Sequence, residues 1–166
     1  MGGNWTSHDF FRVKLEKTAG ISLLRMPYQG GAPAVQAVAG NNCDASTPFV
    51  PEGLSSVDGK LVTPLAVSSA ERNPAVKNVP TCRELGLDVV QVMWRCIVMP
   101  LKTPEPVLET LEKVFYQTYQ NPEFQATLQK AGGTPIWMDR KQFNKYAEEE
   151  YATYAKLIKE FGIQAK

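Results

Sequence analysis

Residues 25–41 read RMPYQGGAPAVQAVAGN. An extended, partly apolar piece runs through two glycines, an alanine and a proline into an alanine-rich segment. Pro33 has no N–H and its φ is already near the helical value, which suits the first helical position. Gly30 and Gly31 let the backbone turn tightly in front of it. The spacing predicts a helix over residues 33–38 with nothing bulky before its amino end. Such an end carries unpaired N–H groups and the positive end of the helix dipole, where a carboxylate or phosphate can sit. Taken alone, the pattern also fits a purely structural turn.

Working outward, strands and helices alternate. Residues 6–9, TSHD, have the form of a capping box, and the helix they open is predicted to run to Ala19 and stop at Gly20. Residues 21–28 read as a strand, followed by the Gly-Gly turn and the helix from Pro33. A short strand over residues 44–47 and a helical turn over 50–57 come next. Residues 60–69, KLVTPLAVSS, are β-rich, with Pro64 marking an edge strand or a bulge. Residues 89–101, VVQVMWRCIVMPL, form the longest apolar tract. It is too short to span a bilayer, is interrupted by Gln91, Arg95 and Pro100, and reads as a buried strand. Strands separated by helices predict an α/β fold with a parallel sheet.

Beyond Trp94 the pattern turns helical. A stripe of Val107, Leu108, Leu111, Val114, Phe115 and Tyr119 follows Thr103, its predicted cap. Asn121 as cap, Pro122 at the first helical position and Gly132 as a stop define a second helix. A short strand over residues 135–138 leads to a long amphipathic helix over 139–161, with Phe143, Tyr146, Ala147, Tyr151, Tyr154 and Leu157 on one face.

With 43% hydrophobic and 21% charged residues over 166 positions the composition is that of a globular chain with a sizeable core. Eighteen basic against 17 acidic side chains leave a formal charge of +1, so no whole-chain field draws in nucleic acid. Cys43, Cys82 and Cys96 are odd in number and lack C-x-x-C spacing, which argues against a disulfide framework or a zinc ribbon. His8 beside Ser7 suggests a nucleophile pair, but no third, orienting group is evident. A capping or supporting role for His8 is the plainer reading. Glu84 and Arg83 read as a solvated helix start.

The segments GGNWTSHDFFRVKLEKTAGI, MPYQGGAPAVQAVAGNNCDA and GKLVTPLAVSSAERNPAVKNVPTCRELG, with PLKTP opening the helical run, resemble the solute-binding proteins of tripartite tricarboxylate transporters, the Bug family. The resemblance covers nearly the whole chain. It implies a periplasmic-binding-protein type II-like α/β fold: a parallel-sheet second lobe over residues 1–92, and C-terminal helices over residues 93–166 that would complete the first lobe. It also implies that the opening strands and helices of the first lobe would precede Met1. The family's strand-to-helix loop falls on Gly3 to Ser7, which makes Asn4, Trp5, Thr6 and Ser7 candidate ligand contacts. The family's Y-x-G-G-A-P motif falls on Tyr28 to Pro33, with Tyr28, Gly30, Gly31 and Ala32 at the cleft. Ser46 and Thr47 either line the cleft or serve a turn. Trp94 falls where the family's chain crosses between lobes, which suggests hinge packing.

The implied function is periplasmic capture of a small organic carboxylate for membrane transporter subunits, by lobe closure and without catalysis, metal or cofactor. A ligand sensor for a signalling receptor is the alternative, and a small Cys/His hydrolase a more distant one. The unpartnered C-terminal helices and open sheet edge suggest a homodimer of the chain.

Overall fold

A computed structural model describes residues 2, 3 and 6–160. It contains helices α1 (Ser7–Ala19), α2 (Gly31–Ala39), α3 (Val50–Asp58), α4 (Glu105–Gln120), α5 (Pro122–Lys130) and α6 (Arg140–Glu160), with 3₁₀ turns at Pro74–Val76 and Arg83–Leu85. The chain divides into two compact units, Met1–Val98 with Ala126–Thr134, and Met99–Gln125 with Pro135–Lys166.

In the first unit, α1 ends as expected. Gly20 takes a left-handed φ of 65°, and the N–H groups of Gly20 and Ile21 both return to the Glu16 carbonyl. Its start differs from the sequence reading. Thr6 is the cap residue, but its hydroxyl donates to the Gly3 carbonyl at 3.2 Å, so the predicted capping box is not formed. Asp9, fully buried, accepts from Arg12 at 2.8 Å and from Arg25 at 3.3 Å. Lys14 donates to Val90 O at 3.1 Å and Gln91 Oε1 at 2.7 Å. The charged side chains of α1 thus tie down extended chain from both later segments.

The second helix begins at Gly31, two residues before the predicted start, so Pro33 is its third residue and not its first. The proline fits there because first-turn N–H groups have no acceptor inside the helix, and its missing donor removes no bond. α2 buries Gly31, Ala34, Val35 and Ala37 and packs on α3. The core of the unit is completed by Phe10 and Val13 of α1 with Val67, Val79, Cys82 and Val89.

The predicted strands keep an extended path but do not assemble into a ladder. Among the described residues the only bridge is a parallel one between Val67 and Thr81. There Val67 N–H donates to Pro80 O and Cys82 N–H to Val67 O, both at 2.9 Å. On the other side Gln91 N–H reaches Ser68 O at 2.9 Å, and the Ser68 hydroxyl donates to Gln91 O at 2.6 Å. Residues 67–68 are therefore flanked by chain on both sides, as the centre of a sheet would be. Residues 21–28 and 44–47 form no ladder, because a strand exists only where a neighbour supplies the complementary N–H and C=O groups. The buried strand predicted over 89–101 is corrected likewise. Val89 and Gln91 are buried, but Ile97, Val98 and Leu101 are 62%, 79% and 105% exposed.

The second unit has no fully buried residue on α4 or α6. Leu108, Leu111, Phe115 and Tyr119 of the predicted α4 stripe are half-buried, whereas Val107 and Val114 face water. Pro104, not Thr103, caps α4, and no side chain accepts from its first turn. Trp137 lies against Tyr116 and Tyr119 with ring centres 5.0 and 5.7 Å away. Arg140 grips Glu105 at 2.5 Å and Glu112 at 2.9 Å, joining the start of α6 to α4. The α6 face is observed except at Tyr151, which is 77% exposed. Asn121 caps α5 as expected, accepting from the N–H groups of Glu123 and Phe124. Gly132, at φ 86°, follows it as the predicted stop. The last residues of the predicted long helix, from Phe161, lie outside the described residues.

Two outcomes follow from these contacts. Asp9→Ala strips two arginines of a buried partner and is expected to lower the unfolding free energy by about 3 kcal/mol in urea titrations. Glu84 accepts from Arg72 and from Thr81 N–H, and these bonds hold its carboxyl down at about 2 against an ordinary 4.5. Because the folded value is the lower one, its contribution to stability is present above pH 4.5 and lost as pH falls toward 2. An NMR titration of Glu84 checks this, and Arg72→Gln should raise the midpoint.

Candidate functional site

Three helix amino ends meet at one point in the first unit. The α1 end arrives through Thr6 and His8, the α2 end through Gly30 and Gly31, and the α3 end through Phe49 and Glu52. Phe49 occupies the cap position of α3 but has no side-chain acceptor, so Glu52, three residues on, turns back and accepts from Phe49 N–H at 2.7 Å. The same carboxylate accepts from Gly31 N–H at 3.3 Å and bonds His8 Nε2 at 2.7 Å. Each helix end contributes positive dipole charge, and a single carboxylate answers all three.

Glycine is needed where these loops touch. Gly30, just before α2, has φ 108°, and its N–H returns to the Tyr28 carbonyl at 2.9 Å. A methyl group on Gly31 would collide with the Glu52 carboxyl group, so the missing side chain is the space that the carboxylate fills. A methyl on Gly2 would stand 2.7 Å from His8 Nδ1 and 3.0 Å from Gly31 N, which places the Gly2–Gly3 backbone directly over the α2 end.

His8 is buried, with Thr6 Oγ1 3.4 Å from Nδ1 and the Phe49 ring centre 4.2 Å from its own. Thr47 Oγ1 donates to the His8 carbonyl at 3.2 Å. Burial pushes the Glu52 carboxyl up, but the bonds from His8, Phe49 and Gly31 and the His8 charge outweigh it and hold the group below its ordinary value. Glu52 is thus an anion at neutral pH and accepts at every contact.

The candidate residues from sequence separate accordingly. Thr6, Tyr28, Gly30 and Gly31 are brought together around this point, and Ala32 follows on the exposed side of the first turn of α2. The Tyr28 hydroxyl lies 3.7 Å from Cys43 Sγ, a hydrogen bond that pushes the phenol up. Ser7 is the first residue of α1, and Ser46 is half-buried next to Thr47. Asn4 and Trp5 lie outside the described residues. Sequence reasoning missed Glu52. Its signal was an acid at the third helical position behind a cap residue that cannot cap.

Elsewhere, a shallow hollow on the second unit is lined by Glu112, Asp139, Arg140 and Lys145 among others, and Arg140 and Glu112 there already pair with each other. Among the described residues no cluster of three or more His, Cys, Asp or Glu side chains is placed to hold a metal ion, and no helix is long and apolar enough to cross a membrane.

Comparison with known proteins places this geometry in context. The UPF0065 protein in the gbd 5′ region of Cupriavidus necator is 24% identical over 161 residues, covering 97% of this chain and 49% of that protein. Protein BugT of Bordetella pertussis is 24% identical over 148 residues, covering 89% and 45%. Among solved structures, R. palustris Rpa4515 with adipate superposes with a TM-score of 0.87 at 20% identity, covering 96% of this chain and 54% of that one. MatC from Rhodopseudomonas palustris with bound malate gives 0.76 at 22% identity, covering 89% and 52%. The chain spans about half the length of these relatives and shares the fold of that half, the predicted parallel sheet being represented among the described residues only by the Val67–Thr81 pairing. The model of the tripartite tricarboxylate transporter family receptor, TctC, matches residues 1–163, and the chain belongs to that family.

Proposed function

We propose that this chain carries the carboxylate-capturing face of a periplasmic solute-binding protein that serves a tripartite tricarboxylate-type transporter. One observation carries the reading. The converging amino ends of α1, α2 and α3 already hold a carboxylate, that of Glu52, so the chemistry of the spot is that of an anion receptor built from backbone N–H groups and His8. Relatives solved with adipate and with malate support the ligand class, a small di- or tricarboxylate or a related organic acid.

In this reading residues 1–92 act as the second lobe and residues 93–166 complete a first lobe, with Asn4, Trp5, Thr6, Ser7, Tyr28, Gly30, Gly31, Ala32 and Ser46 facing the cleft. Binding closes the lobes on the ligand and shifts an open–closed equilibrium that the transporter reads. No bond is made or broken. The hydrolase alternative needs His8 beside a thiol, whereas its ring nitrogens are engaged by Glu52 and Thr6, and Cys43 by Tyr28.

Adipate or malate added to the 166-residue chain should shift the amide resonances of Gly31 and Ala32 saturably, with a dissociation constant near 1 mM, since one face alone encloses little of the ligand. Gly31→Val should weaken this at least tenfold, about 1.4 kcal/mol. Titrations that leave these amides unmoved remove the loop from the ligand's path. The same chain is proposed to pair with a second copy through its C-terminal helices, where Tyr151 on the α6 face is exposed. Light scattering at micromolar concentration should give a dimer mass, Phe143→Glu should reduce it, and a monomer mass from the unsubstituted chain overturns the pairing.

A further inference from the structure

Glu52 lies outside both glycine loops, on α3, yet its carboxylate ends between them. Its side chain is 27% exposed, and the carboxyl group hangs from two methylene groups in the first turn of a helix. It fills the space left by the missing side chain of Gly31 and takes up that residue's N–H. Pro33 supplies no N–H, so the donors at this end of α2 are few and those of Gly31 and Ala32 come first. A ligand carboxylate aimed at the same end meets a group of its own charge already seated there, and two carboxylates cannot share one set of donors without strong repulsion.

We propose that Glu52 is a tethered competitor of the ligand: its carboxylate occupies the amide end of α2 that an incoming carboxylate must take, and binding requires its displacement. The inference rests on the carboxylate-capture reading above. A tethered group acts at an effective concentration far above that of most free solutes, so it excludes small monocarboxylates that hold on by one group only. A dicarboxylate with a second grip elsewhere can still displace it. Swung outward, Glu52 gives up its bonds to Gly31, Phe49 and His8, and the ligand's carboxylate inherits the first and last of these. Specificity then comes from a charge on the protein that imitates the ligand.

The test compares the unsubstituted chain with Glu52→Ala, using acetate and adipate as probes. Binding is read from the Gly31 amide resonance, and stability from thermal melts in acetate against chloride at equal ionic strength. Acetate is expected to bind Glu52→Ala at least tenfold more tightly than the unsubstituted chain, to return the Gly31 amide toward its original position, and to raise the melting temperature of the variant alone. Equal acetate and adipate affinities in the two chains overturn the competitor role and leave carboxylate capture standing. Absence of binding to both chains overturns both. Should the alanine chain fail to fold, Glu52→Gln keeps the shape and one acceptor oxygen while losing the charge. Tighter acetate binding by that variant supports the proposal, and unchanged affinity overturns it.

Discussion

The carboxylate of Glu52 is shared by three segments. It satisfies the cap position of α3 at Phe49, the first N–H of α2 at Gly31, and the ring of His8 in the first turn of α1. In none of these helices does the side chain of the cap residue itself accept from the first turn. Bringing three positive helix ends together without an anion between them would be unfavourable, and the close approach of the Gly2–Gly3 backbone leaves little room for water to do the work. The packing of α2 on α3, and the position of α1 beside them, are therefore tied to one ionised side chain.

The two units hold together by different means. The first has a true interior, with Val35, Val89, Asp9 and Cys82 closed off from solvent, and a fully buried acid that is tolerated because two arginines reach it. In the second, α4 and α6 keep only half-buried stripes, and the start of α6 is fixed by the fork of Arg140 on two glutamates and by Trp137 against two tyrosines. Exposed ion pairs add little stability individually, so this unit depends on its aromatic contacts.

Helices were legible where a local residue decides an end. Gly20, Asn121 with Pro122, and Gly132 act within their own turns, and each behaves as its chemistry dictates. The errors came where a partner distant in sequence decides. Thr6 holds the cap position as read, but its hydroxyl is drawn to Gly3 and stands beside His8 instead of accepting from the first turn. Pro33 looked like a first residue, but the helix begins where Glu52 can receive the Gly31 N–H. Strands were legible as extended chain and not as a sheet, since pairing belongs to neighbours and not to a segment. For the candidate site, the glycine loops could be found from their motifs, whereas Glu52 joins them from residues 21 positions beyond Gly31, a separation that no local pattern encodes.

The small pairing around Val67 is limited by its own residues. Pro80 lends its carbonyl to Val67 but has no N–H of its own, and Pro64 stands three residues before Val67 on the facing segment. Growing this ladder backward would next need an N–H of residue 80 to reach Leu65 O, and Pro80 has none. The pairing thus stops at a single bridge for want of one hydrogen atom, and Leu65, beside the lost bond, is left 74% exposed.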